Sequence, residues 1–332
     1  MDRTEFTRRA AVVGVVAVLV VLAAIGLPQV LGPGSPAGPV VMDTDEWEGS
    51  MAVEPLDTQG RISPDVPDGE GKTVLIDASH GNRIENGDVQ PLVRTLHRYD
   101  YDVRRSEEVN LTRALAGADA FVVIDPAAPY GPEETEALRN FTEDGGRLLV
   151  LTEPDRKTIQ VGQFGSASIS TVESDVDRLL GAYDVTVDPR YVYNQAVNDG
   201  NYQDVVADAA DGAELEGGEY ALPVAAPVYA PDAEPLLVLP SSSRLARTDA
   251  RGEYVVAVRQ GNLVVVGDSS FLASGQQNVG DNERFVAYLV EFLAAGDHAD
   301  APPPTATATP TPTGTATPTG TGNGTATPTE AP

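Results

Sequence analysis

The chain has 332 residues, 50 of them acidic against 22 basic, for a formal net charge of −28, and it contains no cysteine. That excludes a thiol nucleophile, a disulfide framework and a cysteine-ligated metal. Without a basic stripe to neutralise phosphates it also disfavours nucleic-acid partners. Lys72 and Lys157 are the only lysines. The acids are spread along the chain instead of forming one block, which fits a surface kept soluble at high salt better than a dedicated cation-binding face.

In chain order, residues 1–9 carry Arg3, Arg8 and Arg9, and Ala10 to Leu27 is a run of 18 uncharged residues. As a helix it would span roughly 27 Å, enough to cross a bilayer core. No Lys or Arg follows until Arg61, so the positive-inside rule predicts a single-pass anchor with a cytoplasmic N-terminus and an extracytoplasmic main domain. Thr7-Arg8-Arg9 also fits a twin-arginine export signal, but the length of the run and the lack of an A-x-A-like site favour an uncleaved anchor. Residues 28–71, rich in Pro, Gly and acid, are expected to be a flexible acidic spacer.

Residues 72–296 are expected to form one domain. Val74 to Asp77, Phe121 to Asp125, Leu148 to Glu153 and Leu263 to Asp268 are apolar runs ending in a carboxylate. Lacking alternation, they predict strands buried on both faces. Between them lie helical patterns: Val89, Leu92, Val93 and Leu96 after a possible Asp88 cap; a short turn over 112–116; Pro132 with Glu133 and Glu134, closed by Gly145-Gly146; and Phe285, Leu289, Phe292 and Leu293 after a possible Asp281 cap. Tyr101 to Arg105 is a more polar strand, placed near a sheet edge. The β-α repeat gives an α/β fold with a parallel sheet and right-handed crossovers. Tyr254 to Arg259 pairs with the strand from Leu263 as an antiparallel hairpin across Gln260-Gly261-Asn262.

Residues 154–250 break this rhythm. Gln160 to Ser170 is read as a Gly/Ser-rich loop, Val172 to Leu180 as a helix stopped by Gly181, and Tyr183 to Val187, Tyr220 to Tyr229 and Leu236 to Leu239 as strands. Together they make a β-rich elaboration over one end of the sheet. Residues 297–332 are expected to be a disordered Thr/Pro-rich tail. Asn110, Asn140 and Asn323 open Asn-X-Thr triplets, candidate glycosylation sites in an extracytoplasmic domain.

Functional residues of such a sheet gather where its parallel strands end. The candidates there are Asp77, Ser79, His80, Asn82, Asp125, Glu153, Asp268, Ser269, Ser270 and Asn278. They could line a pocket for a small polar ligand, a sugar or a cation. The competing reading is that acids, Ser and Asn at strand ends cap helices and satisfy turns, as they do in any α/β protein. His80 is the only histidine placed near this mouth and the one candidate general base. His97 and His298 read as solvated. The three histidines have no zinc spacing, so no metal or cofactor is expected.

The ordered set V-L-I-D-A-S-H-G-N (74–82), G-G-R-L-L-V-L-T-E-P (145–154) and V-V-V-G-D-S-S-F-L…N-V-G-D-N (264–272 and 278–282) resembles domain-of-unknown-function family 4350. The resemblance covers about Lys72 to Leu293. It implies a class I glutamine amidotransferase-like, flavodoxin-like fold, similar to domains of gliding-type ABC-transporter accessory proteins and of an intraflagellar-transport protein. In members of this shape from salt-loving archaea it also implies an N-terminal membrane anchor. Amidotransferases need a Cys on the turn after a central strand and a His from a later loop. The matching positions here are Thr152-Glu153-Pro154-Asp155 and Asp268-Ser269-Ser270-Phe271, with neither, so no catalytic residue is assigned. The expected function is a non-catalytic, membrane-anchored binding or scaffold module with protein partners in an envelope or transport complex. The alternative is a hydrolase using His80 with Asp77 or Asp268.

Overall fold

A computed structural model describes residues 55–298 apart from 59, 70, 84–87, 109, 162–166 and 216. The expected anchor over 10–27, Trp47, Asn323 and nearly all of the tail lie outside the described residues. Among the described residues no helix is long and apolar enough to cross a membrane.

The strands and helices in chain order are β1 (Thr73–Asp77), α1 (Gln90–Arg98), β2 (Asp102–Ser106), α2 (Leu111–Leu115), β3 (Ala120–Ile124), α3 (Pro132–Glu143), β4 (Arg147–Leu151), β5 (Arg156–Val161), β6 (Ala167–Val172) and α4 (Asp177–Gly181). Then come β7 (Thr186–Val187), β8 (Val192–Tyr193), β9 (Val205–Ala209), β10 (Glu219–Leu222), β11 (Val228–Tyr229), β12 (Glu234–Leu239), β13 (Arg244–Leu245), β14 (Ala250–Arg251), β15 (Tyr254–Gln260), β16 (Leu263–Val266) and α5 (Asn282–Ala294). The main sheet has nine strands in the order β10-β9-β12-β15-β16-β4-β3-β1-β2. From β16 to β2 all pairs are parallel. From β16 to β10 all are antiparallel. Thus β2 takes the predicted edge, and β1, β3, β4 and β16 lie side by side and point the same way.

The unbroken apolar runs follow from two-sided burial. In β4, Leu149 and Leu151 join one core with Leu92 and Leu96 of α1 and Phe285 and Leu289 of α5. Leu148 and Val150 join another with Leu115, Leu138, Phe141 and Leu179 of α2, α3 and α4. Helix ends follow local chemistry unevenly. Asn110 caps α2 through Oδ1, which accepts from Arg113 N (3.0 Å). Pro132 opens α3, and Gly145 follows it with φ 101°. The predicted Asp88 and Asp281 caps are not side-chain caps. Helix α1 starts from Val89, and Asp281 instead accepts a hydrogen bond from Glu219 N.

The elaboration over 154–250 differs most from expectation. Its strands β9, β10 and β12 do not sit over the sheet; they extend it, because Val205, Ala207, Tyr220, Leu222, Leu236 and Leu239 complete the first core. A register shift around Leu237 fits β12 to β15. The stretch read as a Gly/Ser loop is the antiparallel ribbon β5–β6, a sheet of its own. The domain is also longer than expected at both ends. Residues 55–69 do not act as free spacer: Thr58 bridges to Val279, Asp65 N donates to Glu291 (2.7 Å), and Ile62 and Val66 pack on the core. At the other end Lys72 holds Asp119 (3.1 Å) and Asp297 (3.0 Å). His298 is not solvated, as it packs on Phe141 at 4.6 Å with Nδ1 3.1 Å from Ala118 O.

Where parallel and antiparallel halves meet, Gly267 leaves β16 pressed on Ala226. Its N donates to Val256 O and its O accepts from Ala226 N, both at 2.8 Å, and a Cβ there would collide with the Ala226 carbonyl. Gly267→Ala should therefore destabilise the domain by roughly 1–3 kcal/mol through backbone overpacking. Urea unfolding checks this, and a loss under 0.5 kcal/mol would show that the junction can move.

Candidate functional site

The four carboxylates that close the central strands emerge at one end of the sheet, but the structure divides them into two arrangements. Strands β1 and β16 are three strand intervals apart, about 14 Å at 4.8 Å per interval. Asp77 and Asp268 therefore serve different neighbourhoods.

The first is built on Asp77. Its Oδ1 accepts from Ser79 N (2.9 Å) and Ser79 Oγ (2.7 Å), and its Oδ2 from Tyr130 OH (2.6 Å) and His80 Nδ1 (2.8 Å). The Tyr130 ring stacks on His80 at 3.8 Å, and His80 Nε2 lies 3.4 Å from Glu134 Oε1. Burial alone would favour the neutral imidazole, but Asp77 and Glu134 outweigh it and raise the His80 pKa. Burial pulls Asp77 upward, yet bonds from His80, Tyr130 and Ser79 hold its pKa below the usual carboxylate value. Tyr130, buried against Asp77, is pushed well above the ordinary phenol range. Both ring nitrogens of His80 face carboxylates, which favours the imidazolium form and leaves neither nitrogen free. Ser79 donates to Asp77 and lies 3.0 Å from an Nδ1 already committed to that carboxylate.

The second arrangement surrounds a cavity of about 130 Å³, the share of roughly four waters at 30 Å³ each. Asp125, Glu153, Ser269 and Ser270 line it, together with Arg83 and Arg156. Asp125, just past β3, has φ 39°, an uncommon conformation for a non-glycine residue. Its Oδ2 takes Arg156 Nη2 at 2.6 Å and faces Arg83 Nε at 3.3 Å. Burial raises its pKa, and the two guanidinium groups only partly offset this. Ser174 Oγ weighs on the same carboxyl without good hydrogen-bond geometry. Glu153 Oε1 accepts from Ser269 N (2.9 Å), Ser269 Oγ (2.5 Å) and Ser270 Oγ (3.1 Å), while burial lifts its pKa. Beneath it Asp268 is wholly buried, held by Ser270 N (2.6 Å) and Val224 N (3.2 Å). Burial, then the nearby Glu153 charge, pushes Asp268 well above the ordinary range.

Of the candidates, the structure brings Asp125, Glu153, Ser269 and Ser270 around one cavity. Ser79 and His80, expected to line the same concavity, are instead folded back onto Asp77. Asn82 sits beside Arg83 with both side-chain polar atoms shielded and unpartnered. Asn278 does not line the cavity; its turn is drawn toward residue 58 through Val279. Arg83, Arg156, Tyr130 and Glu134 were missed. In a chain so poor in basic residues, an arginine directly after each of two mouth motifs was the available signal. Of the sequons, Asn110 and Asn140 are both exposed. Among the described residues no group of three or more His, Asp or Glu side chains is arranged to hold a metal ion.

This is a mixed α/β domain whose central parallel strands end in buried carboxylates. The chain belongs to the DUF4350 family, a domain of unknown function, whose profile matches residues 89–290. Its fold is similar to the mmIFT52 N-terminal domain, at 15% identity and TM-score 0.53, over 68% of this chain and 99% of that one. A ThuA-like protein from Bacteroides uniformis aligns at 11% identity and TM-score 0.39, over 70% of this chain and 93% of that one. No curated protein is significantly similar in sequence.

The clamp on His80 gives a pH dependence of known sign. A group whose folded pKa is raised contributes stability that is complete below its unfolded value, near 6.5, and lost as pH rises through the folded value. His80→Gln should lower the unfolding free energy by roughly 1.5–3 kcal/mol at pH 6, with the gap to wild type narrowing as pH rises. Denaturation at pH 6 to 9 measures it, and a gap that widened with pH would mean that His80 is neutral in the fold.

Proposed function

We propose that this protein is a membrane-anchored, extracytoplasmic binding or scaffold module of an envelope or transport-associated complex, which holds a small polar ligand at the mouth of its sheet without transforming it. The observation that carries the non-catalytic reading is the state of His80. Both ring nitrogens of the only histidine at the mouth are occupied, Nδ1 by Asp77 and Nε2 by Glu134, and a general base needs a free nitrogen. A hydrolase pairing His80 with Asp268 is disfavoured by the three strand intervals between their strands, and one pairing it with Asp77 by Glu134, which occupies the Nε2 that would act as the base. What supports binding is the cavity at the carboxyl ends of parallel strands, where two guanidinium groups, two serine hydroxyls and the carboxyls of Asp88, Asp125 and Glu153 offer donors and acceptors together. The uncharged run over 10–27, with arginines only before it, supports the anchor. The acidic surface suits strong salt, and exposed Asn110 and Asn140 are accessible to glycosylation.

Two measurements test the reading. The full chain should stay in the membrane pellet at molar salt and leave it only with detergent; a soluble exported form starting near Gly34 would sink the anchor. Thermal shifts with a panel of amino acids, small sugars and inorganic ions should reveal a stabilising ligand. Arg156→Ala should weaken that response about tenfold or more, since it removes a charged hydrogen bond worth ~1.5–3 kcal/mol. A panel that shifts neither protein would remove the ligand from the proposal.

A further inference from the structure

The ribbon β5–β6 is unlike the rest of the molecule. From Arg156 to Val172 the sequence contains no Asp or Glu, the longest acid-free run in residues 55–298 of a chain with net charge −28. It carries Arg156 and one of the two lysines. Its register is regular over six residue pairs, with no bulge. Among the described residues it forms a two-stranded sheet of its own, so both outer edges lack a strand partner there, and no other described strand or helix packs extensively against it. Ile159 and Ile169 face each other across it, 70% and 71% exposed. Directly opposed residues share a face, so the two side chains form one apolar patch. Thr158 and Ser170 pair through their hydroxyls at 3.0 Å on the opposite face.

Proteins ordinarily protect free strand edges with charge, proline or a bulge. Between Thr158 and Val161, and between Ala167 and Val172, this ribbon has none of these. An isolated two-stranded ribbon is marginal in water, and one showing two isoleucines is under-buried until something covers it. We infer that the ribbon is a self-association surface, on which a second copy of this chain pairs ribbon to ribbon about a two-fold axis and buries Ile159 and Ile169 against their counterparts. Charge selects this occupant. Two copies approaching by most faces oppose carboxylates to carboxylates, whereas two ribbons meet without an acid on either side. Such a contact is isologous and closed, so it stops at the dimer. Screening of the remaining repulsion should favour it.

The absence of cysteine permits a direct test in the full chain, in detergent micelles. Thr171→Cys, on the same face as Ile169, should give a disulfide-linked dimer on mild oxidation, while Glu143→Cys, exposed on α3, should not. Adding Ile159→Lys and Ile169→Lys to Thr171→Cys should abolish the cross-link and weaken dimerisation in sedimentation at least about tenfold, with the thermal midpoint of the dilute monomer unchanged because both isoleucines are exposed in it. Dimerisation of the wild type should strengthen between 0.5 and 2 M salt. A wild type that is monomeric throughout, a dimer that survives the two lysines, or one that weakens with salt would each overturn the inference. The first would hold even if a different protein were found on the ribbon.

Discussion

The constraint on which the molecule depends is that β3, β4 and β16 are covered on both faces. A strand so enclosed must be apolar along its whole length, which is why Phe121 to Ile124, Leu148 to Leu151 and Leu263 to Val266 are fully buried. It also means that a polar residue just beyond the strand emerges into a partly dry place. Asp77, Asp125, Glu153 and Asp268 are all nearly inaccessible, and an ionised carboxylate there is costly unless paired or hydrogen-bonded. The mouth of the sheet is shaped by how each of the four is compensated.

The solutions differ, and the difference divides the site. Asp77 is stabilised as an anion by three neighbours, and it in turn favours the charged form of His80. Asp125 has two arginines and still loses more to burial than it gains from them. Glu153 and Asp268 have only hydroxyl and backbone donors, lie close enough to repel each other, and are both pushed toward the protonated form. The end of the sheet therefore runs from a carboxylate at β1 whose pKa is lowered by its hydrogen bonds to two buried carboxyls at β4 and β16 whose pKa values are raised. The cavity lies over the second part, where hydroxyl donors and arginines meet carboxyls whose charge can change. That environment suits the holding of a polar molecule; the acceptor that Ser269 and Ser270 share is Glu153, and His80 lies on the other side of the mouth, bound to Asp77.

Much of this fold was legible because its signals are local. Four apolar runs ending in carboxylates, a proline before two glutamates and a glycine pair are written in contiguous residues, and each led to the element observed. The antiparallel extension was not, because Val205 to Ala209 and Glu219 to Leu222 are short and become strands only through pairing with residues distant in sequence. Ribbon β5–β6 was read as a loop since its Ser and Gly content matches loop composition, while its register is visible only once Ile159 meets Ile169. The site was half legible. Strand ends located the carboxylates, but hydrogen bonds decided which of them share a cavity. Tyr130, 53 residues beyond Asp77, could not have been paired with it from spacing.

The same accounting of charge explains how so acidic a chain coheres. The few basic groups are placed where they join segments remote in sequence. Lys72 ties the start of β1 to Asp119 and to Asp297 beyond α5, Arg156 ties the ribbon's base to Asp125, and Arg259 pairs with Glu214 and lies over the Phe292 ring. Exposed pairs of this kind are individually weak, but Asp119 and Asp125 are buried, and each would be an isolated buried charge without its partner. Acids outnumber these cations by more than two to one, and most of them stand at the surface, where repulsion among them is relieved by salt. Cohesion thus comes from the two apolar cores and a few well-placed cations. The surface acids set the ionic conditions under which that cohesion suffices, and leave β5–β6 as the face on which their repulsion is least.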